Sequence, residues 1–180
     1  MGLTRINNQA LTDVTSAGLP SGSVLQVKQG FYDDETNYSG ASYQDLTGLS
    51  VSITPTSTSS KILIMCNVHC TVNNQHYSIA FKVLRGSTAI GTGDATLAGN
   101  RDQVCFMTSQ NGGGDHLGSA NWQFLDSPSS TSALTYKIQA GSESGAGYRI
   151  NANQVSNTNT GGNPKFARPT SSITVMEIAG

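Results

Sequence analysis

The sequence carries little charge. Asp, Glu, Lys and Arg make up 12% of its 180 residues, and the formal net charge is -1. Binding to nucleic acid normally needs a basic surface that displaces counterions from the phosphates. We therefore expect no nucleic-acid partner for this chain.

The sequence also lacks a long apolar run. None approaches the ~20 apolar residues that a membrane-spanning helix requires, so we expect no membrane insertion. The first residues, MGLTRI, do not contain the hydrophobic core of a signal peptide. We expect any release from a cell to follow lysis rather than secretion.

Cysteine is scarce, with only Cys66, Cys70 and Cys105, and an odd number does not form a disulfide framework. Cys66 and Cys70 fall in one predicted strand, which places their Cα atoms about 13 Å apart, whereas a disulfide needs less than about 7 Å. His69 would point to the opposite face of that strand, so the three side chains cannot converge on zinc. We expect buried cysteines, no metal and no cofactor.

Catalytic motifs are absent as well. The segment GSESG at 141–145 has Glu143 where a nucleophile elbow has Ser. The segment GGGDH at 112–116 is not followed by the Lys-Ser/Thr of a phosphate-binding loop. Asp33, Asp34 and Glu35 lack the spacing of a calcium loop, and no pair of carboxylates is placed as glycosidases require. We expect a protein that is not an enzyme.

Short apolar segments recur between turns rich in Gly, Ser, Asn and Pro, and no helical stripe occurs. They predict strands near residues 24–32, 46–53, 61–72, 77–83, 104–108, 122–125, 134–140, 148–152 and 173–178. This pattern indicates an all-β protein, an antiparallel β-sandwich.

The clearest strand covers residues 61–72. Its even positions are all apolar, from Ile62 to Val72, while its odd positions end in Asn67, His69 and Thr71. The following strand inverts this parity after an Asn-Asn-Gln turn signal. We therefore predict that the two strands form an antiparallel hairpin.

The chain divides into two parts. Residues 23–180 form the predicted sandwich, whereas residues 1–22 hold too few apolar side chains for a core. We expect 1–22 to dock on another protein through Leu3, Ile6, Leu11 and Val14. The alternative is a flexible leader.

Two strands are apolar on both faces, although one sandwich covers only one face of each. The additional apolar residues are Leu63, Met65, Met176 and Ile178. They predict an interface between copies of the chain, because contiguous apolar patches usually mark interfaces. The alternative is that long loops cover this face within a monomer.

Aromatic and amide side chains in predicted loops are candidates for contact with a receptor or glycan. Aromatic rings contact the apolar faces of sugars, and Asn and Asp bind the hydroxyl groups. The candidates are Tyr38, Tyr43, Asn111, Asp115, Asn157 and Asn159. Trp122, in an apolar run, is expected in the core or in an interface.

Several segments resemble a recurrent domain of virion proteins from marine and cyanobacterial phages. They are SGSVLQV at 21–27, DLTGLSVSITP at 45–55, KILI at 61–64, RGST at 85–88, FLDSP at 124–128 and TVMEIAG at 174–180. The leading LTRINN at 3–8 is similar to segments found upstream in tail-fibre-like proteins. Together the similar segments cover nearly all of residues 20–180.

The resemblance implies a structural protein on the particle surface, often a C-terminal fibre domain. It implies a jelly-roll-like sandwich, similar to complement globular heads, and it selects a homotrimer over a dimer. The expected function is that of a short fibre or appendage that binds the host surface. Alternatives are a capsid-decorating head fibre or knob, and a soluble lectin-like carbohydrate-binding module. A depolymerase-type hydrolase is disfavoured.

Overall fold

The computed structural model describes residues 19–40, 42–72, 78–96, 102–109, 117–152 and 168–180. In these residues the helical structure is one 3-10 turn, Glu143–Gly145, and no helix is long and apolar enough to cross a membrane. The strands are β1 (Val24–Tyr32), β2 (Thr36–Tyr38), β3 (Gln44–Ile53), β4 (Lys61–Val72), β5 (Ser78–Arg85), β6 (Thr88–Ile90), β7 (Phe106–Ser109), β8 (Gly118–Asp126), β9 (Leu134–Ser142), β10 (Tyr148–Ile150) and β11 (Ser171–Ile178).

The strands form two antiparallel sheets. In the first, β4 pairs with β8 on one side and with β11 and then β10 on the other, while β1 and β2 lie outside β11 and β10. In the second, β5 pairs with β9 on one side and with β7 and β6 on the other, and β3 lies outside β9. This order is that of a jelly roll. The predicted antiparallel, jelly-roll-like sandwich is confirmed.

Strand β4 supplies the centre of the core. Its even residues Ile62 to Val72 are buried, whereas the odd residues up to His69 are only partly covered. The alternation read from the sequence therefore gives both the bounds of this strand and the face that it buries.

The predicted hairpin between the strands now called β4 and β5 is wrong. The two strands belong to different sheets, and neighbours other than each other occupy both sides of each strand. The change from even to odd apolar positions between β4 and β5 is equally consistent with this arrangement. Both strands direct their apolar residues into one core, from opposite sides. Residues 73–77, which connect them, lie outside the described residues.

The sequence analysis did not predict two short strands, β2 and β6. Tyr38, expected in a loop, lies in β2 and pairs with Tyr148 of β10. Strand β6 follows a tight turn in which Gly86 has φ +62°, a conformation that glycine adopts without strain. Neither of the segments TNY and TAI shows the apolar alternation that marked the predicted strands.

An aromatic stack fills the space between the sheets beside β8. Phe106 lies 4.7 Å from Phe81 and 6.1 Å from Trp122, measured between ring centroids, and Trp122 lies 5.5 Å from Phe124. Gly91, with φ +59°, approaches so closely that an added Cβ would lie 2.6 Å from Trp122 Cζ2. Trp122 therefore packs against the core, as its apolar surroundings in the sequence predicted.

The two ends of the described chain are adjacent. Gly22 N donates to Ala179 O at 2.8 Å, and Ala179 N donates to Ser23 O at 2.8 Å. Of the predicted docking segment 1–22, the structure describes residues 19–22. Leu3, Ile6, Leu11 and Val14 lie outside the described residues, so the docking role stays a prediction.

Candidate functional site

The outer face of the first sheet carries a continuous row of apolar side chains. Met176 of β11 pairs with Val27 of β1 on one side and with Leu63 of β4 on the other. Leu63 pairs in turn with Leu125 of β8. The neighbouring positions in β4 and β11 are buried, so the row points away from the core. We call the outer surface of β1, β11, β4 and β8 the association face, and these four residues its apolar row.

The row is exposed at both ends, where Val27 retains 51% and Leu125 52% of its accessible surface. The next positions, Val24 and Ile178, are also apolar and pair with each other. The structure thus places the predicted interface residues Leu63, Met65, Met176 and Ile178 on one face. Sequence reasoning missed Val24, Val27 and Leu125, because only the register between strands brings them to this face.

Beyond the apolar row, the association face has two uncharged rows, each with three polar residues and one apolar residue. The next row is Gln29, Thr174, Met65 and Gln123, and the one after is Phe31, Ser172, Asn67 and Asn121. The six of these residues that belong to β11, β4 and β8 line a depression of about 680 Å³. Asn67 Oδ1 is buried in it and, within the described parts of the chain, has no hydrogen-bond partner. Such an atom normally finds a donor.

The outer face of the second sheet is different, because charged and hydroxyl side chains pair across it. Lys137 Nζ lies 2.7 Å from Asp45 Oδ2, and Gln139 Nε2 donates to the other oxygen of Asp45 at 2.7 Å. The hydroxyls of Ser52 and Thr135 lie 2.8 Å apart. Exposed pairs of this kind are ordinary on a solvated sheet.

One part of this second face forms a trough. Ala80 of β5 pairs with Gly141 of β9 on one side and with Met107 of β7 on the other, so the two middle strands carry the smallest side chains. Met107 forms one wall and Tyr43, just before β3, lines the site as well. The resulting pocket of about 320 Å³ is also lined by Ser78, Asp102, Val104, Ser142 and Glu143. We call it the Tyr43 trough.

The electrostatics of the trough centre on Tyr43. Burial, together with the charge of Asp102 and a hydrogen bond to it, raises the pKa of Tyr43 to about 12. The hydroxyl therefore stays protonated at neutral pH. Lys82 Nζ lies 3.8 Å from the centroid of the same ring, a cation–π contact, but Lys82 does not line the pocket.

Tyr38 is placed differently from Tyr43. Its ring stacks on Tyr148 with centroids 5.2 Å apart and planes 12° apart. Its hydroxyl accepts a hydrogen bond from Thr47 N at 2.7 Å and donates to Thr47 Oγ1 at 3.2 Å. One ring face and the hydroxyl are thus engaged within the domain.

The other predicted contact residues, Asn111, Asp115, Asn157 and Asn159, lie outside the described residues. Their role in binding a receptor or glycan stays a prediction. Of the six candidates, the structure describes Tyr38 and Tyr43, and Tyr43 lines the trough.

The cysteines and the acidic segment are arranged as follows. Cys66 and Cys70 are buried in the core, whereas His69 lies on the other face of β4 with its Nδ1 2.8 Å from Thr170 O. Glu35 accepts a hydrogen bond from Arg149 at 2.6 Å. Within the described ranges, no three His, Cys, Asp or Glu side chains are grouped to hold a metal ion.

No protein-family model matches the chain, and no curated protein matches it in sequence. Among solved structures, it resembles Eiger TNF from S. frugiperda at 8% identity and a TM-score of 0.46, covering 85% of this chain and 92% of that one. It also resembles a chain of the infectious bursal disease virus Gt strain at 11% identity and a TM-score of 0.45, covering 88% of this chain and 39% of that one. The VP2 subviral particle of the same virus matches at 11% identity and a TM-score of 0.43, with 86% and 37% covered. Likenesses this distant do not indicate a function.

Proposed function

We propose that this chain is a structural domain of a bacteriophage virion, a short fibre or appendage that assembles as a homotrimer, binds the host surface and has no catalytic role. Self-association uses the association face. The segment 1–22 attaches the assembly to another virion protein. The resemblance to phage virion proteins supports the placement on the particle, and it also supports three copies rather than two.

The apolar row is the observation that carries the self-association. Four apolar residues from four strands lie side by side on one face, while the opposite face carries charged pairs. A solvated sheet would expose polar side chains at such positions. A second copy would remove the row from water, and closed symmetry would do so without leaving open contacts.

The polar end of the face supports the same assignment. Its amide and hydroxyl groups are uncharged, so they can be buried against another surface at low cost once they are hydrogen-bonded. Asn67 Oδ1 needs a donor that the described part of its own chain does not supply. An amide or hydroxyl of the neighbouring copy would satisfy it.

The test is the mass of the full chain in solution. We expect a trimer at micromolar concentration, and a monomer after Leu63→Asp or Met176→Asp, because a carboxylate in the buried row would lack a partner. Ser52→Asp, at an exposed site on the second sheet, is the control and should leave the trimer intact. A monomeric wild type would refute self-association, and a dimer would refute the number.

Attachment to the particle is tested separately. Deleting residues 1–22 should leave a folded trimer that is no longer incorporated into particles. Normal incorporation of the truncated protein would contradict the docking role.

A soluble lectin-like module is the second candidate, and the Tyr43 trough is the observation that favours it. Immunogold labelling of purified particles separates the two. Label on the particle supports the virion role, whereas protein found only free in the lysate supports the module.

A further inference from the structure

The Tyr43 trough differs from the rest of the second sheet because the residues at its centre, an alanine and a glycine, have almost no side chain. Lys82 and Gln139 cover the neighbouring row, whereas Ala80 and Gly141 leave the next row open between Met107 and Tyr43. The volume of about 320 Å³ lies at the lower end of the range for small-molecule pockets, roughly 300–1,000 Å³.

The charges around the trough limit what can enter. The carboxylates of Asp102 and Glu143 line it, which disfavours phosphate, sulfate and carboxylate ligands. The carboxylates attract cations, but the ammonium group of Lys82 already occupies the cation–π position over the Tyr43 ring. We therefore consider a neutral ligand that donates hydrogen bonds to the carboxylates.

The groups that line the trough also determine which chemical groups the ligand must present to them. Met107 and the Tyr43 ring offer apolar walls for C–H groups, and Met107 retains 58% of its accessible surface. Carboxylates accept hydrogen bonds from O–H donors, and these charge-assisted bonds are stronger than neutral ones. A compact neutral ring with one apolar face and several hydroxyls satisfies both requirements.

We propose that the Tyr43 trough binds one neutral pyranose unit of a saccharide. Its C–H face contacts Tyr43 and Met107, and its hydroxyls donate to Asp102 and Glu143. The inference deepens the host-binding part of the proposed function and rests on it for the source of the saccharide. The trough lies on the sheet opposite the association face, so a homotrimer built on that face leaves it open.

The experiment is a titration of the full chain, with methionine and alanine methyl groups labelled for NMR. The probes are methyl glucoside, methyl galactoside and methyl N-acetylglucosaminide, with glucuronate as the anionic comparison. We expect at least one neutral glycoside to shift the Met107 and Ala80 methyl signals saturably, with Kd in the millimolar range, and glucuronate to produce no such shift.

Three variants locate the site. Ala80→Leu fills the floor and should abolish binding, while Asp102→Asn and Glu143→Gln should each weaken it about tenfold, since a charged acceptor is lost. Asp33→Asn, an exposed carboxylate between β1 and β2, is the control and should bind as wild type. If Ala80→Leu does not fold, the two isosteric variants carry the test.

The proposal is overturned if no neutral glycoside binds up to roughly 50 mM, well above the millimolar Kd expected of so small a ligand. It is also overturned if glucuronate binds equally, or if Ala80→Leu folds and still binds. The mass of each variant is measured first. A trimer that binds no sugar refutes the trough alone, and a monomer that binds sugar refutes the association alone.

Discussion

Glu177 Oε1 accepts hydrogen bonds from both the backbone N–H and the hydroxyl of Thr56, at 2.6 and 2.8 Å. Ser60 Oγ donates to the same oxygen at 2.7 Å, and Gln26 Nε2 donates to Oε2 at 2.6 Å. The side chain is fully buried. Burial alone would raise the pKa of Glu177, but the four hydrogen bonds outweigh it and hold the pKa below its usual value.

Glu177→Gln should therefore destabilise the fold by roughly 2–4 kcal/mol at neutral pH, because an amide cannot accept all four donors. The stabilisation by Glu177 is complete above the unfolded-state pKa, about 4.3. It is lost as pH falls through the lower folded-state pKa. Denaturant titration of both proteins at fixed concentration measures this. A difference that does not shrink in acid would contradict the pKa direction.

A second buried carboxylate joins the two sheets. Asp126 of β8 accepts two hydrogen bonds from Arg85 Nη1, at 2.9 and 2.8 Å, and one from the Tyr136 hydroxyl at 2.7 Å. Arg85→Met should cost roughly 3 kcal/mol, because it leaves a buried charge without its partner. Arg85→Met combined with Asp126→Leu should recover part of that loss. If the double variant is as unstable as the sum of the singles, the charge is not the cause.

Gly91 closes the space beside the aromatic stack. Gly91→Ala should cost more than the ~1–2 kcal/mol expected for positive φ alone, because its Cβ would meet Trp122. Gly86→Ala is the matched control, since Gly86 has φ +62° but no atom within 4 Å of the added Cβ. Unfolding followed by fluorescence of Trp122, the single tryptophan, compares them. If both variants lose the same amount of stability, the contact between the added Cβ and Trp122 is not the cause.

A substitution at Leu125 tests whether the strand register forms the apolar row, because no pattern in the sequence identified this residue. Leu125→Ser should weaken self-association at least tenfold, because the row then ends in a hydroxyl. Met107→Ser removes an exposed apolar side chain from the opposite sheet and should not change self-association. Sedimentation at several concentrations gives both dissociation constants. Equal effects of the two changes would argue against a specific face.

The architecture was largely predictable, because alternation along each strand reflects burial on one side. The residues Ile62 to Val72 gave both the bounds and the buried face of β4. The partners of a strand were not predictable in the same way. The period of the apolar residues shows which face of a strand is buried, but it does not show which strand lies beside it. The prediction therefore wrongly paired β4 with β5, the strands before and after residues 73–77.

The candidate surfaces were predictable only in part, for the same reason. Leu63 and Met176 could be recognised as additional apolar residues within their own strands. Val27 and Leu125 look ordinary until the register places them beside these two. The Tyr43 trough depends on three strands, two loops and the 3-10 turn, and small residues such as Ala80 and Gly141 give no signal of a cavity in the sequence.

The pairing of Gly22 with Ala179 fixes the place on the domain at which the leading segment is attached. This pairing lies beside Val24 and Ile178, at the apolar end of the association face. Three copies joined through that face would start their leading segments close together. If residues 1–22 dock as proposed, three copies of this segment would act at high effective concentration, and their combined avidity would exceed that of one segment by orders of magnitude.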